Sequence, residues 1–154
     1  MNQPSSRGCF VCGRENTMGL GARWTSHPDA GEVRATVEIP EHFNGYPGTV
    51  HGGILSALLD EAAVRTALLD GGFDDLMVTA KLEVTFRRPT PTRTPVTVVA
   101  RITRRSGTRA QAEAEIRLAD GTVTARAEAL LSKPPAEVAS GWEQERPFWR
   151  VDAG

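Results

Sequence analysis

Apolar residues recur at every second position in five segments of the chain. In the first, polar side chains separate Val33, Ala35, Val37 and Ile39, and Pro40 ends the segment. A period of two is typical of a strand with one buried face. The pattern predicts a sheet with one face buried and the other exposed to solvent. A weaker sixth strand is expected around residues 20–25. The four later sets are Ala80/Leu82/Val84/Phe86, Val96/Val98/Ala100/Ile102, Ala112/Ala114/Ile116/Leu118 and Val123/Ala125/Ala127/Ala129.

Turn-forming residues separate the later segments. Three prolines lie between residues 89 and 95, Ser106-Gly107 has the composition of a hairpin tip, and Asp120-Gly121 is a strong hairpin signal. We therefore expect consecutive strands to be antiparallel neighbours in one sheet.

One segment, from Gly53 to about Leu69, has the pattern of a long helix. It follows His51-Gly52 and is expected to end at residues 70–72, Asp-Gly-Gly, where a glycine would supply a left-handed cap. Apolar side chains occur at nearly every angle around this helix, which is typical of a buried one. One buried helix and a five- or six-stranded antiparallel sheet predict an α+β fold in which the sheet wraps around the helix.

Composition narrows the class of protein. The 154 residues carry a formal net charge of −1, which fits one soluble domain and indicates no nucleic-acid partner. Two cysteines are too few for a disulfide scaffold. The chain begins without an apolar leader and has no uncharged apolar stretch of about 20 residues. We therefore expect a cytoplasmic protein without a membrane segment.

The glycine-containing loop of residues 42–53 leads directly into the predicted helix. Unpaired N–H groups at a helix N-terminus bind anions and stabilise a developing oxyanion. In the middle of the helix, Asp60 has only small neighbours and no cation beside it, so we single it out as a candidate functional carboxylate. Glu61 can instead pair with Arg65 one turn later, and we expect it to be structural.

These residues together resemble a known family. The segment His51-Gly52-Gly53, an acid nine positions after the histidine and the run KLEVTFRRP at residues 81–89 resemble the hotdog-fold acyl-CoA thioesterases of the phenylacetate-degradation type. The resemblance spans roughly residues 20–132, which leaves residues 1–19 as an N-terminal arm and residues 133–154 as a C-terminal tail. It implies a homodimer or homotetramer with active sites at the dimer interface, an acyl-CoA substrate and no cofactor.

The resemblance also implies roles for single residues. The amide of Gly52 or Gly53 would polarise the thioester carbonyl, and Asp60 of the other subunit would act as nucleophile or general base. A helix rises about 1.5 Å per residue, so Gly53 and Asp60 of one chain lie roughly 10 Å apart, too far to act on one carbonyl. Thr79, ten residues before Pro89, would help to hold the water.

Two further residues keep open roles. His51 is expected either to orient the backbone or to transfer a proton. Asn44 stands seven residues before His51, whereas the family often has an asparagine six residues before its histidine, where this chain has Gly45. Asn44 is therefore either a site residue or a turn asparagine.

Three functions fit the resemblance. The first is hydrolysis of an acyl-CoA thioester. The second is dehydration or hydration of an acyl thioester, which would need a histidine poised as a base. The third is a non-catalytic module that binds acyl thioesters in the same cleft.

Arginines and cysteines add candidates outside this segment. Seven arginines and no acid lie between residues 87 and 109. Alternation sends most of them to a solvated face, but Arg104, Arg105 and Arg109 flank a predicted hairpin tip where they could bind the phosphates of coenzyme A. Cys9 and Cys12 have the spacing of a zinc knuckle or a redox pair, but no second pair completes four ligands. We therefore expect a structural arm and no metal, with a metal shared with a histidine or a partner subunit left open.

In the tail, Trp142, Phe148 and Trp149 indicate that it docks on the body or covers the pocket.

Overall fold

The computed structural model describes residues 1–152. One long helix packs against a six-stranded antiparallel sheet with the strand order β1-β2-β6-β7-β8-β5. No helix of residues 1–152 has both the length and the apolar character needed to cross a membrane. The strands are β1 (Thr25–His27), β2 (Glu32–Glu38), β3 (Asn44–Tyr46), β4 (Thr49–Val50), β5 (Val78–Phe86), β6 (Pro95–Ser106), β7 (Arg109–Arg117) and β8 (Val123–Ser132). The α-helices are α1 (Gly52–Arg65) and α2 (Ala136–Gly141), and the 3-10 helices are Pro28–Ala30, Glu41–Phe43, Thr66–Leu68, Phe73–Asp75 and Glu143–Phe148.

The core lies between the inner face of the sheet and α1. Alternate residues of β2, β6, β7 and β8 are buried against the helix, as Val33, Val98 and Ile116 illustrate, and they pack with Leu58 and Leu59. Burial of this apolar face is the main favourable contribution to folding. The predicted α+β arrangement, with one covered sheet face, is confirmed.

The prediction that consecutive strands are neighbours is wrong for β5. This strand pairs with β8 at one edge of the sheet, whereas β6 pairs with β2 and β7 in its interior. The proline-rich connection between them does not form a hairpin but passes the N-terminus of α1, where Thr90 accepts a hydrogen bond from the Val50 N–H at 2.9 Å. Prolines lack the N–H that a tight hairpin ladder would use. The expected strand around residues 20–25 is also displaced, because Leu20 and Ala22 hydrogen-bond to the arm and β1 begins at Thr25.

A β-bulge changes which side chains of β5 face the helix. Thr79 lies opposite Leu131 and Leu82 lies opposite Ala129, with a register break at Ala80. Because both partners in β8 are buried, Thr79 and Leu82 share the inner face although they are three residues apart. Ala80, which the alternation predicts to be inside, is exposed. Bulges re-aim side chains in this way.

The helix is shorter and less buried than predicted. It ends at Arg65 and continues as a 3-10 turn, and neither Gly71 nor Gly72 has a left-handed conformation. Gly71 is needed for space instead, because a Cβ there would lie 2.7 Å from the Ala67 carbonyl oxygen. One stripe of α1 is half-buried rather than buried: Ile54, Ala57, Asp60, Glu61 and Val64.

The arm and the tail lie against each other and against the body. Asn2 forms a bridge with Thr25 at the edge of the sheet, so the arm covers part of β1. The Arg7 guanidinium stacks on Phe148, and Trp149 packs edge-on against Phe73. Of the two roles that the sequence left open for the tail aromatics, the structure shows docking.

Candidate active site

The N-terminus of α1 leaves one amide open. His51 is the N-cap, and its Nδ1 accepts a hydrogen bond from the Gly53 N–H at 2.8 Å. Its carbonyl accepts from the N–H groups of Ile54 and Leu55. Within residues 1–152 the Gly52 N–H donates to no protein group. Of the two amides that the sequence proposes, Gly52 is therefore the one available to a ligand.

The same hydrogen bond assigns the state of His51. A ring nitrogen that accepts an N–H bond carries no proton, so the His51 proton is assigned to Nε2. A Cβ at Gly53 would lie 3.0 Å from Nδ1, so a larger residue here would shift the ring by a few tenths of an ångström. This geometry matches the backbone-orienting role of His51.

A cavity of about 390 Å³ opens at this helix end. Its walls combine the loop of residues 45–51, the start of α1 and the segment that follows β5. Phe86 and Tyr46 give it an apolar surface and are 53% and 81% exposed. The lining residues include Gly52, His51, Leu55, Arg87 and Arg88.

Asp60 lies further along the helix and is held by β5. The Thr79 hydroxyl donates to Oδ1 of Asp60 at 2.6 Å, and this is the only hydrogen bond that the Asp60 carboxylate makes within residues 1–152. The bulge at Ala80 brings Thr79 to the inner face. The second carboxylate oxygen is left free to accept a proton or to bind water. The structure thus brings together Asp60 and Thr79, two of the predicted site residues.

Gly52 and Asp60 are separated by about 12 Å along one helix, from a rise of 1.5 Å per residue. The structure therefore does not bring all predicted site residues together within one chain. Asp60 and Thr79 face the β5 edge of the sheet, and β5 has a hydrogen-bonded partner on one side only. An edge of nine residues with unpaired N–H and C=O groups can pair with a second chain.

The loop before the helix is organised by Glu41, a residue outside the predicted site. Its carboxylate accepts from the Asn44 side-chain amide and from the Gly48 N–H, both at 2.9 Å, and from the Thr92 hydroxyl. These hydrogen bonds, first that of Thr92, lower the pKa of Glu41 to about 2. The side-chain nitrogen of Asn44 is thus committed to the loop, as expected of a turn asparagine. The sequence contains one signal for this role of Glu41, namely an acid three residues before Asn44.

Replacement of Glu41 by Gln is expected to lower kcat/KM about tenfold for acyl-CoA hydrolysis, the activity that the sequence resemblance implies. The loop that precedes His51 loses a charged acceptor, and small displacements are costly at an active site. The native pKa of Glu41 is depressed, so its stabilising effect is complete above the ordinary pKa of 4.5 and is lost as the pH falls towards 2. The difference in Tm between wild type and variant should therefore shrink over that range. Equal kcat/KM values and a pH-independent difference in Tm would contradict this role.

The arginines proposed for coenzyme A lie away from this cavity. Arg104, Arg105 and Arg109 are exposed around the tip of the β6–β7 hairpin, and Arg105 lies 3.6 Å from Asp70, just beyond the C-terminal end of α1. They are therefore at the opposite end of the helix from Gly52. Arg87 and Arg88, from the same arginine-rich segment, do line the cavity.

Glu61 pairs with Arg65 at 2.7 Å, as the helical spacing predicts. The pair differs from an ordinary surface pair because Arg65 is only 3% exposed. Arg65 also donates to the Sγ of Cys12. Glu61 thus belongs to a buried polar cluster rather than to a solvated helix face.

A sequence model of the thioesterase superfamily matches residues 47–125, about half of the chain. The match contains Gly52, Asp60 and Thr79. The chain belongs to the thioesterase superfamily. The predicted hotdog fold, with its antiparallel sheet around one long helix, is confirmed by this match together with the strand order.

Two relatives are identical to this chain at about a third of the aligned residues. A crystal structure of a thioesterase superfamily protein is 32% identical with a TM-score of 0.74, and the match covers 80% of this chain and 62% of the other. This chain therefore spans less than two thirds of that relative. A Saccharolobus solfataricus protein assigned as an esterase is 34% identical over 96 residues, 61% of this chain and 67% of its own length.

More distant structures share the fold. The Escherichia coli PaaI protein of the phenylacetic acid degradation operon is 22% identical with a TM-score of 0.65, covering 74% of this chain and 84% of its own. A Streptococcus mutans protein whose crystal structure contains acetyl-CoA is 18% identical with a TM-score of 0.60, covering 66% and 80%.

Proposed function

We propose that the protein hydrolyses an acyl-CoA thioester to a free acid and coenzyme A. Two groups of one chain carry this proposal: the Gly52 N–H, which donates to no protein group within residues 1–152, and the Asp60 carboxylate, which Thr79 holds in place. They would supply the two halves of an acyl-transfer site. The acetyl-CoA in the Streptococcus mutans relative supports coenzyme A as the carrier.

The chemistry follows from these two groups. Asp60 accepts a proton from water as the water oxygen attacks the thioester carbonyl carbon. The Gly52 N–H, aligned with the positive end of the helix dipole, stabilises the oxyanion that forms. Collapse of the tetrahedral intermediate breaks the C–S bond, and coenzyme A leaves as the thiolate. This order of events requires no cofactor. Asp60 acts here as a general base through water rather than as a nucleophile.

The proposal includes a homodimer in which the β5 edges of two chains meet. Asp60 lies on the side of α1 that faces this edge, and Asp60 and Ala57 are half-buried there, so a second chain would cover this part of the helix. The opposite edge of the sheet already carries the Asn2 bridge. Each site would then combine Gly52 of one chain with Asp60 of the other.

Light scattering should give a mass of at least twice the chain mass of 16.6 kDa. On dilution, thiol release per chain should fall in parallel with the dimer fraction, because a monomer holds only separated halves of the site. Full specific activity in a demonstrated monomer would contradict the two-chain site.

One observation and one measurement separate hydrolysis from its competitors. A dehydratase or hydratase needs a free histidine base, whereas the His51 Nδ1 is occupied by the Gly53 N–H. A binding module would hold acyl-CoA without releasing thiol. The test is a panel of short, medium, long and aromatic acyl-CoAs, followed for thiol release and, by equilibrium dialysis, for binding. Thiol release supports hydrolysis, and saturable binding without release would replace it with the binding module.

The hairpin arginines provide a prediction about the nucleotide end of the substrate. We expect Arg104→Ala, Arg105→Ala or Arg109→Ala to raise KM, leave kcat nearly unchanged and reduce the preference for CoA over dephospho-CoA. In a dimer, the β6–β7 hairpin of one chain would lie beside the site that contains the Gly52 N–H of the other chain.

Arg101→Ala is the matched control for this series. Arg101 lies on β6 but faces Glu32 and Glu113 at 3.6 and 3.8 Å, so its loss should leave KM unchanged. Arg87→Ala and Arg88→Ala are measured alongside, because these residues line the cavity. If KM rises only for these two, the phosphates bind at the N-terminal end of α1 and the assignment to the hairpin is wrong.

A further inference from the structure

Three metal-ligating groups converge where the arm crosses α1. The Sγ of Cys12 lies 3.3 Å from Oε1 of Glu61, and the Sγ of Cys9 lies 3.8 Å from Oε2. All three ligand atoms lie within 4.8 Å of one another. We propose that Cys9, Cys12 and Glu61 bind one zinc ion, a site separate from the proposed thioesterase site.

The distances suit tetrahedral zinc. Zn–S bonds of about 2.3 Å and Zn–O bonds of about 2.0–2.2 Å place neighbouring ligand atoms of a tetrahedron roughly 3.5–3.8 Å apart. The observed S–O separations, 3.3 Å from Cys12 to Oε1 and 3.8 Å from Cys9 to Oε2 of Glu61, lie close to that range. Rotation of the carboxylate would present one oxygen to both sulfurs, since all three ligand atoms lie within 4.8 Å of one another. Two thiolates favour zinc over the hard cations calcium and magnesium.

The arm is folded so that both sulfurs point to the same place. The Gly13 N–H donates to the Cys9 carbonyl at 2.8 Å, and the Val11 N–H donates to the Cys9 Sγ at 3.4 Å. A Cβ at Gly13 would lie 2.5 Å from the backbone of Cys9, so only glycine permits this tight turn. The N–H bond to sulfur is the kind of support that fixes a metal ligand.

Arg65 balances the charge of such a site. Its Nε lies 2.7 Å from Glu61 Oε1 and its terminal nitrogen lies 2.7 Å from the Cys12 Sγ. Two thiolates and one carboxylate carry three negative charges, which the charges of Zn²⁺ and Arg65 cancel. Neutrality matters because Cys12 and Arg65 are 1% and 3% exposed, and buried charges must be compensated.

A fourth ligand can come from solvent. Cys9, Cys12 and Glu61 line one end of a cavity of about 310 Å³, whose other walls include Trp149, Met77 and Leu68. A water molecule from this cavity would complete the tetrahedron. Zinc would thereby join the arm to α1 at the residue next to Asp60 in the sequence.

The experiment uses the full-length protein, reduced and treated with a chelator, and titrates it with Co²⁺ as a spectroscopic probe. We expect one Co²⁺ per chain with a thiolate-to-cobalt charge-transfer band, and displacement of Co²⁺ by Zn²⁺. Zinc should also raise Tm in a concentration-dependent manner. Absence of the band, or no change of Tm with zinc, would overturn the proposal.

Variants identify the ligands. Cys9→Ser and Cys12→Ser should abolish the charge-transfer band, and Glu61→Gln should weaken metal binding at least about tenfold, as even supporting residues of metal sites do. Cys9→Ser is the variant least expected to disturb folding, because Cys9 is half-buried. Asp60→Asn is the matched control and should bind metal like the wild type. A band that survives in the double variant Cys9→Ser/Cys12→Ser would assign the metal to other residues and overturn the site.

Failure of the metal site and failure of the thioesterase proposal are distinguishable. Asp60→Asn should retain the metal and lose thiol release. Cys9→Ser should lose the metal and retain thiol release in the folded protein.

Discussion

Replacement of Asp60 by Asn is expected to lower kcat for thiol release about 10²–10⁴-fold, the usual contribution of general-base catalysis. Asn keeps the size of the side chain and can accept the Thr79 hydrogen bond, but it cannot take a proton from water. Binding of acyl-CoA and Tm should therefore change little. Single-turnover measurements with saturating substrate, combined with equilibrium dialysis, separate these effects.

Glu61→Gln is the neighbouring control for Asp60→Asn. Because Glu61 pairs with the buried Arg65, the variant should lower Tm far more than loss of an exposed helical pair, which contributes about 0.2–0.5 kcal/mol. Its kcat per folded molecule should stay near that of the wild type. If Glu61→Gln abolished thiol release and Asp60→Asn did not, the assignment of the catalytic carboxylate would be wrong.

Much of the fold could be predicted from the sequence because alternation reports burial directly. Most inner-face residues of β2, β6, β7 and β8 follow it, because these strands pair regularly over most of their length. Register shifts between Ile102 and Arg104 in β6 and between Ile116 and Arg117 in β7 interrupt it locally. β5 departs from it because a bulge inserts Ala80 as an extra residue, and no residue type in this segment signals a bulge. The position of β5 at the edge of the sheet could not be predicted either. Turn-forming residues indicate where a strand ends, but they do not indicate which strand it pairs with.

The candidate site was predictable where it depends on local chemistry and not where it depends on distant residues. Gly52 and Asp60 lie in one helix, so their spacing could be read from the sequence. The choice of Gly52 over Gly53 depends on a ring that caps the helix in three dimensions. The third ligand beside Cys9 and Cys12 is Glu61, about 50 residues later, so spacing alone shows an incomplete pair. Only tertiary contact brings these groups together.

Replacement of Gly52 by Pro is expected to lower kcat about 10²–10³-fold, the usual cost of removing one oxyanion donor. Gly52 is the first residue of α1, the position at which helices best tolerate proline. His51 has φ −60° and ψ 134°, a conformation that a following proline favours. The substitution therefore removes the N–H with little effect on the helix.

Gly52→Ala separates the loss of the N–H from the added bulk. An alanine Cβ would lie 3.2 Å from Phe86, an exposed ring that can move, and it retains the N–H. We expect Gly52→Ala to lose much less activity than Gly52→Pro. Equal losses would mean that space, and not the amide, matters at this position.

A mixed dimer of Asp60→Asn and Gly52→Pro chains combines both predictions into a test of the two-chain site. In such a dimer one site would contain the Gly52 N–H of the first chain and the Asp60 carboxylate of the second, both intact, while the other site would lack both groups. Differently tagged chains, co-expressed and purified by both tags, should therefore show about half of the wild-type activity. Each homodimer should show about one hundredth of it or less, because every site there lacks one group. If each site were built within one chain, the mixed dimer would be as inactive as the two variant homodimers.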